Sequence, residues 1–317
     1  MKHLFLLNPV AGQGKDLNKF RAEILSACAK RGLQEDRDYE IFTSQKPRDI
    51  TKKVAEAVKT GEELRLYACG GDGTLNETVA GAAGHSHVSV TNVARGSGND
   101  FIRMFTDTAP FRSIEALLDD PKETPVDLIC CNGEYAINVC STGLDARIGT
   151  EVATYKRLPL VKGHGAYLLS SLVNTIKGVH RHYRVEIDGQ MIDGEQTMIY
   201  VGNGAWYGGG FNPVPEADPT DGLLDVLMVT GVSRMTVLKV IGPYKQGKYR
   251  DYPHLMRHFR TDKVKILCDE DEPINLDGEL RMGKEAEFAV APFQLRFFYP
   301  KEVSLQNSKA PVGAGSL

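Results

Sequence analysis

The 317-residue sequence lacks the features of several broad protein classes. It holds only six cysteines and no C-x-x-C pair, which argues against a disulfide framework and predicts reduced thiols in a cytosolic protein. No apolar run approaches the roughly 18 residues of a membrane span, and Leu4–Leu7 is too short for the core of a signal peptide. Its net charge of −3 offers no basic excess for binding nucleic acid.

The first 125 residues alternate between strand-like and helix-like segments. Short apolar runs predict strands, apolar residues at helical spacing predict helices, and glycines mark the ends of several of them. The predicted strands are His3–Leu7, Tyr39–Phe42 and Leu64–Cys69, and one of the predicted helices covers Leu75–Ala83. This alternation is typical of a mostly parallel, doubly wound α/β domain, in which ligands bind at the carboxyl ends of the strands.

The pattern changes near Pro125. Asn132-Gly133 and Asp188-Gly189 each separate two strand-like runs, which is a strong signal for a two-residue hairpin. A helix is predicted over Ala166–Lys177. We therefore expect a mainly antiparallel second domain over 126–299, with the segment from about residue 300 available to pack back on the first domain.

Gly70–Glu77 reads GGDGTLNE and follows an apolar strand. Its glycines permit a tight turn with exposed N–H groups, and the helix that follows adds the positive end of its dipole. Such a turn is suited to phosphate, and Asp72 within it could face a magnesium ion or a reacting hydroxyl. The alternative is an ordinary strand-to-helix turn in which the aspartate only caps the helix.

Two further turns should reach the same crevice. Asn8–Gly12 follows the first strand, and Gly96–Asp100 follows the apolar run Val88–Val93. Gly12–Lys15 is not a P-loop, because the four-residue gap between glycines is missing and Asp16 replaces the magnesium-binding Ser or Thr. Without other information, each of these turns could be purely structural.

Together, these motifs resemble the diacylglycerol kinase catalytic domain family, which includes bacterial diacylglycerol kinases, related bacterial lipid kinases and sphingosine kinases. Asp221–Asp225 (DGLLD) and Asp277–Glu279 (DGE) extend the resemblance into the second half of the chain. It implies an NAD kinase- and diacylglycerol kinase-like fold, with an N-terminal doubly wound domain and a mainly antiparallel C-terminal domain.

The resemblance also implies a set of ATP contacts in the first domain. The family usually has Pro-x-Gly-Thr before Asn-Asp, whereas this chain has Ala94-Arg95-Gly96-Ser97. Serine keeps the hydroxyl, the missing proline could loosen the loop, and Arg95 is expected to add a charge near the phosphates. The implied contacts are Asn8, Pro9, Val10, Ala11, Gly12, Thr43, Gly71, Asp72, Gly73, Thr74, Leu75, Asn76, Glu77 and Ser97.

The family's acidic residues suggest catalytic roles here. By resemblance, Glu279 is the general base, while Asp72, Asp100 and Asp127 organise the catalytic Mg²⁺, for which oxygen ligands are suitable. By the same resemblance, Asp218, Asp221 and Leu223 belong to a structural Mg²⁺ loop. A solvated hairpin turn at Glu279, an outward-facing strand residue at Asp127 and a metal-free turn at Asp218–Leu223 are the alternatives.

The segment Tyr244–Lys263 carries six Lys or Arg against two acids, with aromatic residues between them. We expect it to be a docking face for a membrane, because basic and aromatic residues favour an anionic interface. Tyr244 and Tyr249 would supply part of its aromatic surface. An ordinary solvated face is the alternative.

The sequence therefore predicts a cytoplasmic, transiently membrane-associated lipid kinase that uses ATP and Mg²⁺ and phosphorylates a diacylglycerol-like hydroxyl. One rival is an NAD kinase-like enzyme with a soluble substrate, against which the DGLLD and DGE motifs argue. Another is a catalytically silent, nucleotide-binding regulator. The lipid itself is not identified by the sequence, and a homodimer is left open.

Overall fold

Two sheets organise the chain, each at the centre of one lobe. The computed structural model describes residues 1–14, 17–96, 98–148 and 179–306. The helix predicted over Ala166–Lys177 lies outside these ranges. Within them, no helix is both long enough and apolar enough to cross a bilayer, and all six cysteines are free thiols.

The first lobe is a six-stranded sheet flanked by helices. Five of its strands run parallel, and the last is antiparallel at one edge. The strands are β1 (Lys2–Leu7), β2 (Tyr39–Thr43), β3 (Leu64–Gly70), β4 (Val88–Ala94), β5 (Lys122–Val126) and β15 (Leu295–Tyr299), in the order β2-β1-β3-β4-β15-β5. The helices are α1 (Leu17–Lys30), α2 (Asp49–Ala57), α3 (Asp72–Ala82) and α4 (Ile114–Leu118). The predicted α/β class is confirmed.

Continuous apolar sequence explains the parallel strands. Every residue of β4 is buried, and so are five of the six residues of β1. Helices cover both faces of a parallel sheet, so its strands need apolar side chains on both sides. Because β1, β3 and β4 are parallel neighbours, their carboxyl ends lie side by side at one edge of the sheet.

The second lobe is a nine-stranded antiparallel sheet. Its strands are β6 (Ile129–Cys131), β7 (Glu134–Ala136), β8 (Val139–Gly143), β9 (Arg181–Ile187), β10 (Gln190–Gly202), β11 (Leu224–Thr230), β12 (Met256–Thr261), β13 (Lys263–Leu276) and β14 (Glu279–Val290). Both predicted hairpins form, β6–β7 and β9–β10. Their turn residues have positive φ, as do Asp277 and Gly278 between β13 and β14, which is the geometry that Asn-Gly and Asp-Gly favour. The predicted antiparallel class is confirmed.

The chain returns to the first lobe near its end. β15 pairs with β4 in parallel and with β5 in antiparallel fashion, for example Phe297 with Val90. The sequence placed this return near residue 300, whereas the structure places it at Leu295. One hydrophobic core spans the first lobe and reaches the base of the second, where Val139 and Tyr200 belong to it. The lobes are therefore joined by packing as well as by the chain.

One more helix belongs to the second lobe. This helix, α5 (Arg234–Lys245), follows β11 and begins at Ser233, whose hydroxyl accepts a hydrogen bond from the Thr236 N–H. Residues 144–148, directly after β8, are also helical. Val237 of α5 packs against a small cluster that includes Leu144. One face of α5 is thereby fixed to the lobe.

Candidate active site

The turn after β1 is fastened to the start of α3. Asn8 accepts a hydrogen bond from the Val10 N–H (3.1 Å) and donates its amide N–H to the hydroxyl of Thr74 (3.1 Å). Thr43, at the end of β2, stands opposite Leu7 in the sheet register. The residues predicted to contact ATP near the first strand therefore lie at the same edge as the GGDG turn.

The glycine turns after β3 and β4 touch each other directly. The Asp72 N–H donates to the Gly98 carbonyl (3.2 Å), and the Gly96 N–H donates to the Gly70 carbonyl (3.0 Å). A Cβ at Gly71 would lie 2.7 Å from the Gly98 oxygen, and one at Gly96 would lie 2.4 Å from the Gly71 Cα. Any side chain here would push the two turns apart, so close backbone approach explains the glycines.

The helix α3 begins at this contact. Gly73, in its first turn, has open space around the position that a Cβ would occupy. The N–H groups of Asp72, Thr74 and Leu75 already donate to the backbone carbonyls of Gly98 and Gly71, so this end of α3 offers an anion the Gly73 N–H and the positive end of the helix dipole. The start of α3 and the two glycine turns can thus cradle phosphate.

Asp72 and Asp100 form a close acidic pair. Asp72 accepts a hydrogen bond from the Asp100 N–H (2.7 Å), and Asp100 is 3% exposed. Burial, followed by the negative charge of Asp100, raises the pKa of the Asp72 carboxyl to about 7. The structure therefore brings together two of the three acids predicted for the catalytic magnesium.

Asp100 also links the two lobes. Its Oδ2 accepts a hydrogen bond from the Gly209 N–H (2.7 Å) in the second lobe. Its Oδ1 lies 3.0 Å from Arg103 Nε, and the Arg103 guanidinium lies over the ring of Trp206 (5.5 Å). Gly208, Gly209 and Gly210 all have positive φ, which explains why this loop consists of glycines. Sequence reasoning missed Arg103 and Gly209, although three consecutive glycines were a usable signal.

Asp277 binds the second lobe to α3. Its carboxylate accepts hydrogen bonds from the N–H groups of Ile137 (2.7 Å), Asn138 (3.1 Å) and Val139 (2.7 Å). Asn76, one turn after Asp72 in α3, contributes a long amide contact of 3.5 Å. Burial raises the pKa of the Asp277 carboxyl, and these donors oppose the rise. Sequence analysis treated Asp277 only as part of the DGE motif and missed this role.

Glu279 lies two residues after Asp277, at the turn that contacts α3. Glu279 is the first residue of β14 and follows the Asp277-Gly278 turn. Its side chain is 47% exposed and lies 3.9 Å from Arg281. A turn of α3 rises about 5 Å, so Asp277 docks close to Asp72, and its charge contributes to the raised pKa of that residue. The glycine turn and the DGE turn thus meet in one cleft.

The Asp127 side chain contacts the loop around Asp221 and does not join the pair formed by Asp72 and Asp100. Its Oδ2 accepts a hydrogen bond from the Gly222 N–H (2.8 Å) and its Oδ1 accepts one from the Gln294 amide (2.9 Å). Asp127 is 2% exposed. It therefore anchors the loop around Asp221, and its assignment to the catalytic magnesium network stays a prediction.

A cation from the neighbouring strand β12 lies against the predicted structural metal loop. Asp221 pairs with the guanidinium of Arg260, whose Nε also lies 3.6 Å from Asp225. The other Asp221 oxygen accepts the Leu223 N–H (3.1 Å), and Asp218 accepts hydrogen bonds from Thr220. A metal ion bound to Asp221 would face the positive charge of Arg260. The residues present therefore fit a structural Mg²⁺ poorly.

The Asp72–Asp100 pair fits a catalytic Mg²⁺ better. Asp100 Oδ1 is buried and accepts no hydrogen bond among the described residues, and its charged neighbour is the Arg103 guanidinium, 3.0 Å away. Within those ranges, no group of three or more His, Cys, Asp or Glu side chains surrounds a common metal position. Mg²⁺ commonly takes one or two carboxylates and completes its shell with phosphate and water. Two carboxylates next to a phosphate cradle are suited to that arrangement.

Several predicted ATP contacts have other partners. Glu77 accepts hydrogen bonds from the N–H groups of Arg48 (3.0 Å) and Ile50 (3.2 Å), and so caps α2. Leu75 is buried in the core, whereas Val10 is 77% exposed. Pro9, Ala11 and Gly12 belong to the turn after β1 and remain predicted contacts.

The residues after β4 that depart from the family's Pro-x-Gly-Thr pattern have limited consequences for the site. Arg95 was expected near the phosphates, but its guanidinium lies over the ring of Phe20 (3.9 Å) and pairs with Glu23 of α1. That expectation is wrong, because packing and charge hold the side chain against the helix. Ala94 is buried at the end of β4. Ser97 lies outside the described residues.

Comparisons with known proteins identify the family of this chain. The model of the diacylglycerol kinase catalytic domain matches residues 2–131, and that of the YegS C-terminal NAD kinase beta sandwich-like domain matches residues 138–299. A Pseudomonas aeruginosa protein named "Probable lipid kinase YegS-like" is 30% identical over 279 residues, which cover 88% of this chain and 90% of that protein. The chain belongs to the YegS-like lipid kinases.

Other relatives of this lipid kinase family cover most of the chain. A Staphylococcus carnosus diacylglycerol kinase is 26% identical over 301 residues, covering 94% of this chain and 95% of that protein. A crystal structure of a diacylglycerol kinase from Bacillus anthracis matches with a TM-score of 0.68 at 21% identity, covering 94% of this chain and 96% of that one. The structural likeness supports the fold, and the sequence matches support the kinase family.

Proposed function

We propose that this lipid kinase transfers the γ-phosphoryl group of ATP to the free hydroxyl of diacylglycerol or a closely related lipid. The observation that carries the proposal is the contact between Asn76 and Asp277. It holds the Asp277–Glu279 turn of the second lobe against the helix that begins at Asp72. A phosphate cradle, an acidic pair and an accessible carboxylate then share one cleft.

The first lobe would bind the triphosphate. The Gly73 N–H at the start of α3, where the helix dipole adds positive charge, would contact a phosphate oxygen, and Asn8 and Thr74 fix the neighbouring turn. Asp72 and Asp100 would hold Mg²⁺, which, when bound, neutralises charge on the phosphates. Arg103, 3.0 Å from Asp100, adds a positive charge beside this pair.

Glu279 would act as the general base. As the lipid hydroxyl oxygen forms a bond to the γ-phosphorus, the bond from that phosphorus to the bridging oxygen breaks and ADP leaves. The hydroxyl proton passes to the Glu279 carboxylate, which is 47% exposed and can meet a substrate. Asp277 is bound by backbone N–H groups, so it acts as a positioning residue for this turn.

The test is an assay with labelled ATP against a panel of acceptors. Diacylglycerol, monoacylglycerol, phosphatidylglycerol, a sphingoid base and NAD each offer a hydroxyl, and the proposal expects transfer to diacylglycerol. NAD phosphorylation would favour the soluble-substrate rival instead. ATP binding without turnover on any acceptor would favour a silent regulator.

Glu279→Ala tests the base directly. We expect turnover to fall by roughly a hundredfold to ten-thousandfold, because a positioned general base contributes about that much. Glu285→Ala is the matched control, because Glu285 lies on the same strand and pairs with Lys265 at the surface. Turnover retained by Glu279→Ala would overturn the assignment.

A further inference from the structure

The helix α5 has apolar side chains on two faces. Val240 and Tyr244 are buried. Met235 and Leu238 are each 64% exposed and Ile241 is 44% exposed. We call these last three the α5 stripe, since residues three apart lie on one side of a helix.

Exposed apolar side chains are more concentrated on α5 than on the rest of the described surface. Seven large hydrophobic side chains are exposed in the described ranges, and three of them belong to α5. At 3.6 residues per turn, the stripe covers an arc of roughly 120° that faces away from Val240 and Tyr244. Single exposed apolar residues are ordinary, but an ordered row of them marks an interaction site.

The charged residues of α5 and of the segment that follows it are all basic, although Arg250, at the end of that segment, is paired with Glu216. From Arg234 to Arg250 the sequence contains five cations and no acid, in a chain with 38 basic and 41 acidic residues. Those five are Arg234, Lys239, Lys245, Lys248 and Arg250. By helical spacing, Arg234 and Lys245 fall on the same side of α5 as the stripe, and both are exposed. An occupant of this face should therefore be apolar and negatively charged.

The docking face expected from the sequence stays a prediction, and several of its residues are buried or already paired. Tyr244 and Tyr249 are 3% and 4% exposed, so neither can enter an interface. Arg260 is paired with Asp221 and Asp225. The exposed apolar residues of this region lie on α5, mostly before the segment that the sequence singled out.

We propose that the α5 stripe docks on the surface of an anionic phospholipid bilayer. The three apolar side chains enter the boundary between headgroups and acyl chains, and the surrounding cations contact lipid phosphates. A second copy of this chain fits poorly, because two facing α5 helices would bring their cations together. Docking extends the proposed function, because it would bring the cleft to a membrane-resident substrate, but it does not require catalysis.

The test is sedimentation of the full chain with vesicles. Wild-type protein should bind vesicles of equal parts phosphatidylglycerol and phosphatidylcholine and bind pure phosphatidylcholine weakly. The triple variant Met235→Ser, Leu238→Ser, Ile241→Ser should lose at least about tenfold in binding, because exposed side chains lose their apolar contact with lipid. Replacing Lys239 and Lys248 with Gln should cost about fivefold per cation.

Controls separate docking from catalysis and from folding. Leu238→Ser alone is matched by Met191→Ser, which changes a methionine that is 55% exposed on β10 and should bind as wild type does. On diacylglycerol dispersed in detergent micelles, the triple variant should keep its turnover within about twofold, because surface substitutions change little else.

Three results would overturn the proposal. One is wild-type binding by the triple variant, and another is equal binding of wild type to neutral and anionic vesicles. The third is a change in oligomeric state of the triple variant with unchanged vesicle binding, which would assign the stripe to a second copy. If the micelle assay shows no turnover even for wild type, the proposed function fails and the docking result still stands.

Discussion

Two acidic turns of this chain look alike in sequence and differ in their electrostatics. Both place aspartates beside glycine, and both were predicted to hold Mg²⁺. In the cleft, burial and the nearby charge of Asp100 raise the pKa of Asp72 to about 7. In the second lobe, Asp221 is already paired with Arg260. In the cleft the nearby cation, Arg103, pairs with Asp100 rather than with Asp72, whereas in the second lobe Asp221 itself is paired.

The largest difference should appear when the acids are neutralised. We expect Asp72→Asn to reduce turnover by about a hundredfold to a thousandfold, as the loss of one key electrostatic group often does. The same change should raise the unfolding midpoint of the ligand-free protein at pH 8, because it removes a buried charge near Asp100. Steady-state kinetics and thermal unfolding measure the two effects.

Asp221→Asn is the comparison for that variant. It should reduce stability rather than turnover at a temperature where the protein is folded. Equal losses of turnover in Asp72→Asn and Asp221→Asn would show that the two turns do not differ in function as their surroundings indicate.

Local signals in the sequence were enough for the strands β1–β4, the glycine turns and the two hairpins, but they did not predict β5, β12 or β15. They were not enough for contacts between residues far apart in the chain. The pairing of Asp221 with Arg260 and the docking of Asp277 on Asn76 depend on how strands and lobes assemble. The direction of Arg95 depends on Phe20 of α1. The convergence of Asp72 and Glu279 could be expected only by resemblance to a family.

The ion pair between Arg260 and Asp221 should contribute to the stability of the protein. It should also make that stability independent of added metal ions. Removing one partner of a buried ion pair leaves the other charge uncompensated and typically costs about 3 kcal/mol or more. Because Arg260 is 35% exposed, we expect Arg260→Gln to lose less, about 1–2 kcal/mol. Adding EDTA or MgCl₂ should not move the unfolding transition of Asp72→Asn, which lacks the other candidate site.

Arg257→Gln is the matched control on the same strand, since Arg257 is exposed and lies over the Phe259 ring (5.2 Å). Its stability should be close to that of wild type. A metal-dependent transition that is lost in Asp221→Asn but kept in Asp72→Asn would restore the structural metal site.

A change of pH should have a smaller effect, on the stability of the protein and on its affinity for Mg²⁺. The pKa of folded Asp72 is about 7, above the ordinary value of 3.8 for an aspartate, so folding favours its protonated form. This contribution to stability is present below the unfolded pKa and is lost as pH rises through about 7. Mg²⁺ competes with that proton, so its apparent affinity should fall by about tenfold per unit below pH 7.

The measurement is the rise in unfolding midpoint that MgCl₂ produces in the presence of a non-hydrolysable ATP analogue at pH 6, 7 and 8. The rise should grow with pH in wild type. In Asp72→Asn it should be small and independent of pH, and a wild-type pH dependence in that variant would assign the proton to another group.

The smallest effect should come from Arg95. Its guanidinium packs on Phe20 and pairs with Glu23, so Arg95→Gln should change the KM for ATP by no more than about twofold. Asn8→Ala is the informative contrast, because Asn8 holds the turn after β1 against Thr74, and its loss should raise that KM. If Arg95→Gln raised the KM for ATP more than Asn8→Ala did, the arginine would have to leave α1 when nucleotide binds. The cleft that holds Asp72 would then gain a positive charge, and its electrostatics would resemble those of the Asp221 turn.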